Sequence, residues 1–219
     1  YENPQNYVNV LAKLYAGLSL SGQQGPAGRG DISGMDEGFG QYLRGYFYLQ
    51  ELPTDEALIG WNDATLRDLH DVDWTASDGF ISTFYYRVFY QVSACNEFIR
   101  ETTPGKLDGR NITGDMRTTI ETYRAEARFL RALSYYHAID LFGNVPFVTE
   151  EDAVGSFFPK QISRVELFDY IESELKEIEP QLMAPRSEYG RADKGAAWML
   201  LAKLYMNAEV YTGTGKYTE

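Results

Sequence analysis

AEARFLRALSYYHAIDLFG, residues 125–143, sets alanines at 127, 132 and 138 among large aromatic and aliphatic side chains. Alanines at spacings of five and six let a neighbouring helix come close, while Phe129, Leu133 and Tyr136 at i, i+4 and i+7 fill the space beside it. The stretch reads as one side of a helix–helix contact. Its start is expected between Thr113 and Asp115, and its end at Gly143 with Pro146 just beyond, a glycine cap followed by a breaker.

The same face recurs at an offset of 70 residues. GAAWMLLAKLYMNAEVYTG, residues 195–213, aligns Ala127/Ala197, Leu130/Leu200, Ala132/Ala202, Tyr135/Tyr205, Ala138/Ala208 and Gly143/Gly213. LAKLY occurs at 11–15 and again at 201–205, so the Ala-x-x-Tyr pattern also appears at Ala12/Tyr15. The offset is two helix–turn–helix units of about 34 residues each, the length of a tetratricopeptide (TPR) repeat. The expectation is an all-α scaffold of TPR-like helix pairs in which the quoted helix packs against its own kind.

The stretches between fit that scheme. FYYRVFYQVSACNEFIRE, residues 84–101, places Val88, Val92, Cys95 and Ile99 on one helical face before TTPG ends it. SRVE at 163–166 is a capping box, and Leu167, Ile171, Leu175 and Ile178 follow as an apolar stripe. Glu172, Glu174, Lys176, Glu177 and Glu179 are expected on or near the wet side. Tyr15, Tyr135, Tyr205 and Trp198 read as packing.

Composition narrows the function. The chain has 219 residues, long enough for a sizeable core, and 44% hydrophobic residues argue against disorder. Its apolar runs fall short of the roughly 18 residues of a membrane span, so a soluble chain is expected. YENPQNY at the start has no Met, basic region or apolar region, so any targeting segment is expected to have been removed. A net charge of −12 with scattered Lys and Arg disfavours nucleic acid. Cys95 has no disulfide partner and reads as a buried small hydrophobe, while His70 and His137 offer no zinc-ligand spacing.

Residues 22–83 read as loop-rich. GQQGPAGRGDISGMDEGFG is too glycine-rich for a regular element, and long loops in compact domains tend to carry function. The Arg29-Gly30-Asp31 triplet is too short to be diagnostic, and Asp31, Asp36 and Glu37 could suit a calcium ion without matching a loop signature. Phosphate-binding loops, nucleophile elbows and metalloprotease motifs are absent from the sequence, and no cofactor or metal is expected.

Several stretches together carry a resemblance: ELPTDEALIG with a Trp-containing loop after it, VDWTASDGF with YYRVFYQVSACNEFI, AEARFLRALSYYHAIDLFGNVPFV, and RADKGAAWMLLAKLYMNAEVYTG. The chain resembles the SusD/RagB family of surface glycan-binding lipoproteins of Bacteroidetes outer membranes. The resemblance implies TPR-like helix pairs at 84–213 supporting a ligand-facing region at 22–83, with long irregular loops on one side. It also implies a lipid-anchored protein at the cell outer membrane. Such a protein binds oligosaccharides or other nutrients without cleaving them and partners a SusC-like TonB-dependent transporter. The lipid-bearing cysteine is absent and family members are more than twice as long, so 1–219 is expected to be an N-terminal portion lacking the C-terminal remainder.

Neutral sugars are recognised by aromatic rings against C–H faces and by amide, carboxylate or guanidinium partners for hydroxyls. GWNDATLRD supplies all of these: Trp61 as platform, Asn62, Asp63 and Arg67 as hydroxyl partners, with Trp74 as a second ring. The alternative for either tryptophan is a place over the helical core. Carboxylate pairs such as Asp55/Glu56 or Asp71/Asp73 raise glycoside hydrolysis, which needs two carboxyls about 5–9.5 Å apart. With 32 acidic residues some pairs fall close by chance, and the expectation is a protein that is not an enzyme. The competing reading is a TPR-like scaffold for protein–protein interaction.

Overall fold

The computed structural model describes residues 1, 3–22, 29–35, 38, 40–63 and 65–219. In chain order its helices are α1 (Gln5–Ala16), α2 (Tyr42–Glu51), α3 (Leu66–Asp71), α4 (Gly79–Glu101), α5 (Pro104–Gly109) and α6 (Gly114–Phe142). The strands β1 (Val145–Pro146) and β2 (Gln161–Ile162) follow, then α7 (Arg164–Ile178), α8 (Lys194–Met206) and α9 (Ala208–Thr212). The strands pair antiparallel, Val145 opposite Ile162, and the fold is all-α. It divides into two compact units, Tyr1–Leu14 with Gln91–Glu219, and Tyr15–Tyr90. No helix is long and apolar enough to cross a membrane among the described residues.

In the first unit, α6 runs from a Thr113 cap to Gly143, whose φ of 70° is one that only glycine adopts readily. Its chief partner is α7, and it touches α8 only sparsely, so the quoted helix does not pack mainly on its own kind. The apolar stripe of α7 is covered: Leu167, Phe168, Ile171, Leu175 and Ile178 are all buried. The capping box is present, with Ser163 N–H donating to Glu166 Oε2 at 3.1 Å and Glu166 N–H to Ser163 Oγ at 3.3 Å.

Two readings of this unit change. Glu174 is buried rather than wet, because Arg128 Nη2 at 2.5 Å and Arg131 Nη2 at 3.0 Å neutralise it between α6 and α7. Trp198 is 51% exposed, and with Met199, Met206 and Val210 it leaves an apolar side of α8 and α9 uncovered. A helix that is apolar all round gives no periodic signal of which side the chain covers.

In the unit of Tyr15–Tyr90, Tyr48, Leu52, Leu66, Leu69 and Phe80 form the core. The presence of α2 within the expected loop region follows from Gly45: a Cβ there would meet Phe84 Cδ2 at 3.1 Å, so the glycine is a packing residue rather than a breaker. Tyr42 closes on Phe84 edge-on, ring centroids 5.1 Å apart. Asp78 starts α4 by accepting the N–H groups of Phe80 and Ile81 at 2.8 and 2.9 Å. The buried Arg87 guanidinium donates to the carbonyls of Ser21, at 2.7 Å, and Gly40, fastening both ends of the glycine-rich loop. Along α4, Val88 in this unit and Val92, Cys95 and Ile99 in the first unit are all fully buried, and burial pushes the Cys95 thiol up to about 12, which leaves it inert.

Candidate functional site

The site grows from the first turn of α2. Arg44 and Tyr48 stand at i and i+4 on this helix, and Arg44 Nε donates to the Tyr48 hydroxyl at 2.6 Å. Arg44 Nη1 donates to the carbonyl of Gly38, so the guanidinium is held at two edges. Its Cζ lies 5.2 Å from the centroid of the Trp61 ring and 5.4 Å from that of Tyr48. Trp61 therefore packs on a cation while remaining 54% exposed.

Beyond Trp61 the chain turns into α3. The Asp63 carbonyl accepts the Leu66 N–H at 2.9 Å, which leaves the Asp63 carboxylate free of the helix start. Asn62, Asp63 and Arg67 are exposed, and their side chains have no partner among the described residues. Leu66 and Leu69, by contrast, anchor α3 in the core. The turn residues are thus carried by a short helix whose apolar side is fixed. After α3, Val72 takes φ 58°, a conformation unfavourable for a β-branched residue, and redirects the chain toward Trp74.

The structure joins Trp61 to Arg44, which in turn holds Tyr48, and not to Trp74, which is 40% exposed and makes no ring contact with Trp61. Arg44 was missed by sequence reasoning. The signal that could have found it was the i, i+4 relation to Tyr48, visible only once YLRGYFYLQE is read as a helix. A separate cleft of about 410 Å³, between residues 32–35 and Ser82, Thr83 and Tyr86 of α4, contains none of the five expected residues.

Asp55, Glu56, Asp71 and Asp73 are all exposed. No group of three metal-ligating side chains occurs among the described residues. Of the calcium candidates, Asp36 and Glu37 lie outside those residues, and Asp31 sits 3.9 Å from Arg87 Nη1.

No family model matches. The starch-binding protein SusD of Bacteroides thetaiotaomicron is 38% identical over 212 residues, 96% of this chain and 36% of the relative. Over this length the chain is similar to SusD in sequence, and its fold is similar to that of solved SusD superfamily proteins. A SusD superfamily protein of Bacteroides thetaiotaomicron superposes with a TM-score of 0.72 at 16% identity, covering 95% of this chain and 43% of that one. A surface glycan-binding protein A of Bacteroides fluxus gives 0.67 at 24% identity, covering 94% and 40%. A laminarin binding SusD-like protein gives 0.67 at 18% identity, covering 96% and 41%. The chain spans well under half the length of the relatives it matches.

Proposed function

We propose that this SusD-like chain binds glycans without cleaving them, through the face built on Trp61. The observation that carries the reading is the Arg44 guanidinium set against a half-exposed indole and held there by Tyr48 and Gly38. A ring in this setting is oriented before any ligand arrives, which lowers the ordering cost of stacking on a pyranose. Asn62, Asp63 and Arg67 supply donors and acceptors for hydroxyls, and Trp74 is a further ring for a longer chain. Arg44 joins the set through its edge toward the indole.

The names of the relatives support the same class of ligand, one being a starch-binding protein and another a laminarin binding one. The cellular setting proposed is that of the SusD/RagB resemblance: a lipoprotein on the outer membrane surface that delivers oligosaccharide to a SusC-like TonB-dependent transporter. Affinity electrophoresis in gels containing starch, laminarin and other polysaccharides tests the binding. Retardation by at least one polymer, abolished in Trp61→Ala at an unchanged thermal midpoint, is the expected result. Absence of retardation together with tight capture of a soluble protein partner would favour the TPR-like scaffold instead.

A further inference from the structure

Residues 147–160 form a flap between β1 and β2 whose base is pinned from several directions. The Tyr135 hydroxyl donates to the Val148 carbonyl at 2.7 Å and accepts the Val148 N–H at 2.9 Å. Asn96 Nδ2 donates to the same carbonyl at 3.1 Å, while Asn96 Oδ1 accepts from Arg131 Nη1 at 2.7 Å. Arg100 Nε donates to the Glu150 carbonyl at 3.0 Å, and Asp152 Oδ2 accepts the Thr149 N–H at 2.7 Å.

The tip of the flap contrasts with that base. Val154, Phe157 and Phe158 are exposed, Phe157 by 42% and Phe158 completely. Three large apolar groups left in solvent within five residues call for a partner surface or ligand. Between the flap and one face of α4 lies a cleft of about 300 Å³, into which Ser93, Glu97, Asp152 and Phe157 contribute. The volume is at the lower end of the range for small-molecule sites, roughly 300–1,000 Å³.

We propose that this cleft is a second binding site, for a neutral oligosaccharide, with Phe157 as the stacking ring. The chemistry excludes an anion: Arg100 Nη1 is paired with Glu97 Oε2 at 2.7 Å and its other nitrogens face the carbonyls of Glu150 and Asp152. Acceptors remain instead. Glu97 Oε1, Asp152 Oδ1 and the Ser93 hydroxyl have no hydrogen-bond partner among the described residues, and they suit sugar hydroxyls beside a ring that suits C–H groups. The inference rests on the reading of the chain as a glycan-binding protein, yet it uses none of the residues around Trp61.

The test is hydrogen exchange of the whole chain with and without maltoheptaose or laminariheptaose, in wild type, Trp61→Ala, Phe157→Ala and Phe157→Trp. The expected result is protection of peptides covering 148–158 in wild type and in Trp61→Ala. Phe157→Ala should remove that protection and, combined with Trp61→Ala, weaken the remaining affinity about five- to tenfold. Phe157→Trp should keep both. An unchanged thermal midpoint is expected because Phe157 is exposed, and Ser93→Ala serves as a second variant should it shift. Protection confined to peptides around residue 61 and indifferent to Phe157→Ala overturns the second site and leaves the Trp61 reading standing. Protection at 148–158 alone, unaffected by Trp61→Ala, does the reverse. Protection by neither sugar at either place overturns both.

Discussion

Two arginines show how differently the two units use the same group. Arg131, in the helical unit, is buried and committed through both terminal nitrogens: Asn96 and Glu174 accept from it at 2.7 and 3.0 Å, and Glu150 also accepts from it. Arg44, in the unit of Tyr15–Tyr90, holds an exposed indole and leaves one side of it open. In the first arrangement both terminal nitrogens are taken by buried protein acceptors, and in the second the cation supports a ring at the surface. Recognition is expected where polar groups are positioned but not saturated.

The largest effect should come from removing the buried arginine. Arg131→Met leaves Glu174 to Arg128 and Glu150 to Arg124 alone and takes the donor from the buried Asn96 Oδ1, and a loss of about 3 kcal/mol in urea unfolding is expected, because the buried carboxylates lose their shared partner. A loss below about 1 kcal/mol would break the contrast, since an exposed pair contributes no more than that.

Acid should expose a second buried group of the same helix. Burial, and after it the charge of Lys203, holds the His137 imidazole down to about 3. Its ordinary value is near 6.5, so between those limits the unfolded chain takes up a proton that the folded chain does not. Stability is therefore whole above about pH 6.5 and falls as the pH drops, by up to about 1.4 kcal/mol per unit. Denaturant melts across this window should show a flatter profile for His137→Gln. Glu172 acts lower: burial raises it, but hydrogen bonds from Lys176, Lys216 and Tyr205 prevail and bring it to about 2, so its contribution is lost only as the pH falls from the ordinary carboxylate range toward that value.

The repeat itself offers a sharper comparison. Ala132 of α6 is buried and its counterpart Ala202 of α8 is exposed. Ala132→Leu should cost about 1–3 kcal/mol by overpacking, and Ala202→Leu should stay within about 0.5 kcal/mol. Equal effects on thermal unfolding would mean that the two helices are covered alike. Arg44→Met should lose only about 1 kcal/mol or less for a partly exposed cation–π contact, while its retardation by glycan should drop severalfold. A stability loss without a change in retardation would make Arg44 a structural residue.

Periodicity and caps made most helices legible. The α4 face of Val88, Val92, Cys95 and Ile99, the Thr113 and Gly143 ends of α6 and the Ser163/Glu166 box all stand where their residue types require. What periodicity conveys is a helix, not its neighbours. Ala132 and Ala202 share a pattern and differ in burial, and Ala12 is exposed as well. Glu174 looked wet because its compensating arginines lie more than forty residues away in sequence. The candidate site was legible as a turn rich in sugar-compatible groups around Trp61. Arg44 was hidden because Gly45 disguised α2 as a loop, and a glycine's packing role is set by the ring that fills its missing side chain.

The central claim is that Trp61 is the ring that meets the ligand. The three tryptophans, Trp61, Trp74 and Trp198, give three indole N–H signals in a ¹⁵N-labelled sample, each assignable by its Trp→Phe variant. Titration with maltoheptaose or laminariheptaose should shift the Trp61 signal saturably and leave that of Trp198 in place. A titration that moves Trp198 while Trp61 stays still would contradict the account.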